Sequence, residues 1–427
     1  MGRLATGVVA ISGTLCPHLV YPVKWLSLNG LPPGAQIMVR TFALYIMALA
    51  SCLPALPVGA GEQEDVRALA NELVGHLGSP SFSQRTRAMN RLLQLGPAAI
   101  GPLEEASRSR NREVRFRSRR LLESVRELEF ERQLEAFIQL DDDSPISLPG
   151  WTRFRDRYGS EGDARHLFVA MQRAEREMLR QVDGGPDGLA RLIHQRVESL
   201  QQARQFQGAN MSIGTILALL FAGSDPAVSL SDRAVMTIFG VCGYSAFSEE
   251  MYRQGANDRQ YIRHDPRSDV IRAMFTDWMQ RPGAHVHYQG FLLCLNYDIK
   301  ESTVTAVRAI KQKDSSPHVK QYALRVLAAF GGGDHIGPVS KLLDDHTFCA
   351  GTQRINDVQY RTQIRDVVLV CLLSIEKLNP KKYGFPRFTP GTRLFQLSAI
   401  GFPSDEEREK AHAKWRAYVA AKETKPQ

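Results

Sequence analysis

Acidic residues are missing from the opening of this 427-residue chain; the first is Glu62. Residues 1–60 carry only Arg3, Lys24 and Arg40 as strong charges, so part of the formal net charge of +9 belongs to that segment alone. Without it, 54 − 3 = 51 basic residues face 45 acidic ones, or about +6. So small a bias gives no argument for a nucleic-acid partner. Cysteine is sparse, at six residues, and no Cys-x-x-Cys pair occurs, which argues against a cysteine zinc site. Sustained alternation of apolar and polar residues is also missing, and with it the signature of half-buried strands. What is present is 43% apolar residues, enough to fill two or three cores or one extended repeat array.

The acid-free opening has an order of its own. Met38-Val-Arg40 is a short positive start, and Thr41–Leu56 is an apolar run. Small residues follow at Val58 and Ala60, and then the abruptly polar Gly61-Glu-Gln-Glu. This is the layout of a secretory signal peptide, with Met38 as the expected start of translation. The run is short for a membrane span and lacks a positive stop. Contact with a membrane is expected only if this segment stays uncleaved. Export would permit Cys242, Cys294, Cys349 and Cys371 to be oxidised. Three of them, Cys242, Cys294 and Cys371, lie in apolar helical runs, where buried free thiols are the commoner outcome.

From Asp65 onward the period is helical. Val66, Leu69, Ala70, Leu73 and Leu77 mark one apolar stripe, and Ala88, Leu92 and Leu95 mark the next. Between helices stands "LGPAAIGPLEEA" (95–106), echoed by "FGGGDHIGPVSKLL" (330–343). Neither has the Lys or the preceding strand that a phosphate loop needs, so both are expected to be helix corners. A shift of 30 residues sets Arg85, Ala88 and Leu92 on Arg115, Ser118 and Leu122. A further shift of 205 sets Val114, Arg115, Ser118 and Leu122 on Val319, Lys320, Ala323 and Leu327. Two helices per unit, with a small residue central in the second helix, lack the apolar area to fold alone and must stack.

These units resemble HEAT repeats of the short bacterial kind. Four stretches, "SPSFSQRTRAMNRLLQLGPAAI", "LPGWTRFRDRYG" with "ARHLFVAMQRAE", "QIRDVVLVCLLSIEKLNPKKYGF" and "GFPSDEEREKAHAKW", resemble exported bacterial HEAT-repeat proteins. The resemblance implies an all-α, extracytoplasmic α-solenoid with a less regular helical middle, and it brings no catalytic residue. The expected organisation is an N-terminal extension and signal peptide over 1–60 and HEAT-like repeats over 61–140. A linker over 141–158 leads to an irregular helical domain over 159–300. HEAT-like helices over 301–403 and a closing helix with its tail over 404–427 complete the chain. "MSIGTILALLFAG" (211–223) and "RAVMTIFGVCGYSAF" (233–247) are expected to be buried helices, and Ser404 is expected to cap the last helix.

Few residues suggest chemistry. His285 and His287 would diverge on a helix, and His264-Asp265 is the nearest further ligand pair. "GYSAF" (243–247) lacks the last glycine of a nucleophile elbow. Acidic residues at 141–143 and 344–345 fit solvated loops better than cation sites. No cofactor, metal or catalytic residue is expected. The strongest charge feature is "RSRNREVRFRSRR" (108–120), with seven arginines in 13 residues. Arg108, Arg112, Arg115 and Arg119 are the candidate surface for an anionic partner. Over 102–132, however, nine Arg and seven Glu nearly balance, as on a solvated helix pair. The expected function is non-enzymatic: an envelope scaffold that presents a concave helical surface to a protein partner. An anionic envelope component is a further partner class, and nucleic acid is not expected. The alternative is an envelope enzyme or metal-binding protein with its site among the middle helices.

Overall fold

The structure is a computed structural model that describes residues 60–139, 147–206, 211–254, 260–389 and 395–424. The apolar run at 41–56, Cys16, Cys52 and the acidic residues 141–143 lie outside the described residues. Nearly all of the described chain that is regular is α-helical, and no described helix is long and apolar enough to cross a membrane. The chain divides into two compact units, one through Glu127 and one from Leu128.

The first unit holds α1 (Ala60–His76), α2 (Phe82–Leu95), α3 (Ile100–Ala106) and the first part of α4 (Arg112–Gln139). α1 packs on α2 and α3. Its core is Ala70, Leu77, Ala88, Leu92, Ala99, Leu103, Leu121, Leu122 and Val125. Gly96 ends α2 with φ 56°, in a region that favours glycine. Pro97 then opens a 3-10 turn (Gly96–Ala99) that feeds α3, whose Pro102 sits in the first turn, where its missing N–H costs nothing. The echoing stretch behaves alike. A 3-10 turn (Gly333–His335) leads into the short α15 (Ile336–Ser340), and Val339 is as fully buried as Leu103.

The second unit begins inside α4 and continues as α5 (Trp151–Tyr158), α6 (Gly162–Gln181), α7 (Pro186–Phe206), α8 (Ile213–Gly223), α9 (Asp232–Val241) and α10 (Ser245–Met251). α11 (Pro266–Gln280), α12 (Tyr288–Tyr297), α13 (Thr303–Lys311), α14 (Pro317–Phe330), α15, α16 (Ile364–Ile375) and α17 (Asp405–Glu423) complete it. One hydrophobic core runs from Phe130 to Trp415, so the boundaries expected at 159, 301 and 404 fall within a single packed unit. The stretch 151–158, expected to be part of a linker, is helix α5. Its Trp151 and Phe154 are buried against Phe137, Phe168 and Phe221.

Two further expectations change. The apolar run 233–247 breaks between α9 and α10, where the Gly243 N–H turns back to Gly240 O at 3.2 Å. Two three-residue hairpins also occur, β1 (Tyr252–Gln254) with β2 (Gln260–Ile262) and β3 (Gln353–Ile355) with β4 (Val358–Tyr360). Strands this short leave no readable alternation. In the C-terminal half, α14 packs against α12 on one side and α16 on the other, while α13 packs on α14 and α15 on α16. The chain's own last segment also meets α14 and α16. Arg325 of α14 donates to Phe395 O at 2.9 Å, and Arg408 of α17 donates to Asp366 of α16 at 2.8 Å.

Candidate partner-binding surface

The arginine-rich stretch occupies the turn before α4 and the first turns of that helix. Asn111 starts the helix, its Oδ1 accepting the Glu113 N–H at 2.9 Å. Val114 is half-buried, and Ser118, Leu121, Leu122 and Val125 are buried, all on the core side. The small Ser118 is buried, as are Ala88 in α2 and Ala323 in α14.

The four candidate arginines have different tasks. Arg115 is turned back onto the preceding turn, donating to Ser109 O at 2.7 Å. Arg85, its counterpart 30 residues earlier, donates to Ser79 O at the same 2.7 Å. Both guanidinium groups therefore hold a helix entry and are half-buried, which takes Arg115 out of the row expected with Arg112 and Arg119. Lys320, the third counterpart, pairs instead with Asp345 at 2.9 Å. Arg119 stays exposed but donates through Nε to Ser107 O at 3.3 Å. Arg108 and Arg112 are exposed, and neither has a side-chain partner among the described residues.

Sequence reasoning passed over two side chains here. Phe116 is 62% exposed, and Phe82 at the start of α2 is 73% exposed with the Arg85 guanidinium over its ring. The signal for Phe116 was readable. It stands four residues after Arg112 and four before Arg120, out of phase with the Ser118–Leu122 stripe. α2 and α4 contribute to one core, and Arg117 Nη1 of α4 lies 3.7 Å from Met89 Sδ of α2.

The residues of the rival reading have separate neighbours. His264 faces Asp298 at 3.7 Å, His285 bonds the Gln312 side chain, and His287 lies against the Phe239 ring. Burial, with His285 nearby, lowers the His287 pKa against the pull of Asp232. His285 is the middle residue of a 3-10 turn (Ala284–Val286) and His287 precedes α12, so the two do not share the regular helix on which they were expected to diverge. Among the described residues, no group of three or more His, Cys, Asp or Glu side chains is placed to hold a metal ion. Asp345 is engaged by Lys320 and by the Thr347 N–H; these outweigh burial and hold its carboxyl below the usual range. "GYSAF" lies at the α9–α10 break, with Ser245 opening α10. Cys242, Cys294 and Cys371 are buried free thiols whose pKa values burial pushes up, that of Cys294 to about 12. Cys349 is half-buried, free and also raised to about 12, chiefly by burial.

No family model, curated protein or solved structure matches the chain.

Proposed function

We propose that this chain is a non-enzymatic binding or scaffold protein, a HEAT-like helical-repeat chain that offers a helix face to a protein partner. The observation that carries the reading is the equivalence of Arg85 and Arg115. They are thirty residues apart, and each reaches from its helix to the carbonyl six residues back at 2.7 Å. A contact repeated at the repeat period supports a repeated unit rather than two helices of similar composition. The burial of Ala88, Ser118 and Ala323 at the same position supports it further. So does the placement of α14 between α12 and α16, as stacked hairpins require.

A repeat array works by its surface, because each unit contacts only its neighbours and leaves an extended face open. In the C-terminal half the segment carrying Phe395 bonds to α14 and α17 bonds to α16. The open counterpart is the α2–α4 face of the first unit. Export to the periplasm or envelope is part of the proposal and rests on the residue order of 38–61. The test is affinity capture with the full chain from an envelope extract, followed by reconstitution with the purified partner. A complex of fixed stoichiometry is expected. Failure to obtain any stoichiometric partner would remove the reading.

A further inference from the structure

We propose that the α2–α4 face of the first unit docks an acidic segment of a protein partner. Phe116 is the apolar anchor, and Arg108, Arg112, Arg119 and Arg120 are the cations that meet its carboxylates. This rests on the binding-protein reading above and names the partner's chemistry.

The charge of this face is more one-sided than the sequence average suggests. Residues 73–103 contain no Asp or Glu, while α2 carries Arg85, Arg87 and Arg91. Residues 108–120 carry seven arginines and one acid, Glu113. Together that is 3 + 7 − 1 = +9 on α2 and residues 108–120. Of the other glutamates of 102–132, Glu104 pairs with Arg126, and Glu127, Glu129 and Glu131 lie further along α4, beyond a Debye length of about 8 Å from Arg120, so Glu105 and Glu123 are the two that stand near the patch. Folding uses only part of this charge. Arg85 and Arg115 hold helix entries, and Arg117 pairs with Glu113. Arg87, Arg108, Arg110, Arg112, Arg119 and Arg120 are exposed with no carboxylate partner among the described residues. Those before and in the first turn of α4 also oppose the positive end of its dipole, a cost of roughly 0.3–1 kcal/mol each when exposed. Local stability does not explain them.

Exposed phenylalanine gives the face its second element. Arg and aromatic residues are enriched where proteins meet, and both kinds dominate binding energy there. Arg112, Phe116 and Arg120 follow at four-residue intervals, about 6 Å apart along the helix. Alternate side chains of an extended peptide recur at about 6.6 Å. A segment of the pattern acid–x–aromatic–x–acid therefore matches cation, ring and cation in register. A fluid anionic bilayer has no such register.

The test uses the full-length chain and a fluorescein-labelled peptide, Glu-Ser-Phe-Ser-Glu repeated twice, read by anisotropy at low salt. Binding is expected, and it should weaken steeply as KCl is raised. Arg112→Glu/Arg120→Glu should lose about tenfold or more, and Phe116→Ser a smaller, severalfold amount. Arg112→Glu removes a cation from the positive end of α4, and Arg120→Glu changes an exposed side chain with no carboxylate partner among the described residues, so this double variant should melt close to the parent. Equal binding by the double variant, or no binding at all, would overturn the proposal. Arginine-dependent sedimentation with phosphatidylglycerol vesicles that the peptide does not compete away would overturn it in favour of a membrane. If an envelope partner is captured equally by parent and double variant, this inference falls while the binding-protein reading stands.

Discussion

Three buried cationic or imidazole side chains in the second unit show how far environment divides residues of like type. Arg408 is held between Asp366 at 2.8 Å, Asp405 and the carbonyl of Arg361 at 3.0 Å. Arg281 is equally buried, yet donates to Val228 O at 3.0 Å and lies over Trp278, and its Nε and Nη1 have no partner among the described residues. Removing Arg408 strands a buried carboxylate, whereas removing Arg281 relieves an unpaired charge. Arg408→Met should therefore destabilise by about 3–5 kcal/mol, and Arg281→Met should be near neutral or stabilising. Denaturant midpoints of the two variants check this, and equal losses would contradict it. Beside the pair, His412 is buried, and desolvation lowers its pKa to about 4. Burial raises that of Asp366 to about 6, although Arg408 pulls the other way. The signs oppose. His412 contributes stability that is present above about pH 6.5 and lost as pH falls towards 4. Asp366 contributes stability that is present below about pH 4 and lost as pH rises towards 6. The two trends offset in the parent. In His412→Gln, stability relative to the parent should fall as pH rises from 4.5 to 6.5, read from denaturant titrations at each pH. A constant difference would contradict the assignment. None of this was legible in the sequence, because Asp366 and Arg408 are 42 residues apart and only folding brings them together.

Helices were legible where a cap or an apolar stripe marked them. Ser404 caps α17 by accepting the Glu407 N–H at 3.3 Å, as its position before three acids suggests. Gly96 and Pro97 end α2 where expected. The α9–α10 break was missed because Gly240 and Gly243 sit inside a run whose apolar residues fit one helix. α5 was missed because the prolines and acids just before it resemble a linker, while its anchors, Trp151 and Phe154, gain meaning only against Phe168 and Phe221. Close approach between elements was likewise invisible. A Cβ on Gly214 of α8 would overlap the Ala170 carbonyl of α6. Gly214→Ala should lower the melting temperature even though alanine favours helix, because the overlap falls on backbone that cannot yield. An unchanged or raised melting temperature would show that the two helices separate more easily than their packing implies.

At the scale of the molecule, the repeat-like spacing and the arginine cluster could both be read in the sequence, but their meaning could not. Composition over 102–132 looked balanced because a linear window adds the glutamates of α3 and of the later part of α4 to the arginines of 108–120. Along α4 the arginines come first and most of the glutamates later, and α2 adds three further arginines and no acid. The expected row of Arg112, Arg115 and Arg119 loses Arg115 to the helix entry and gains Phe116 and Arg120. The meeting of the last segment with α14 and α16 was also unreadable, since Arg325 and Phe395 are 70 residues apart. The proposed role of this chain is to present the α2–α4 face to a protein. The most direct measurement places a photo-crosslinking phenylalanine analogue at position 116 of the full chain in living cells, with the exposed position 177 as control. One discrete protein adduct from position 116, absent from 177 and lost in the Arg112→Glu/Arg120→Glu background, is the expected result. No adduct from position 116, or the same adducts from both positions, would contradict that role.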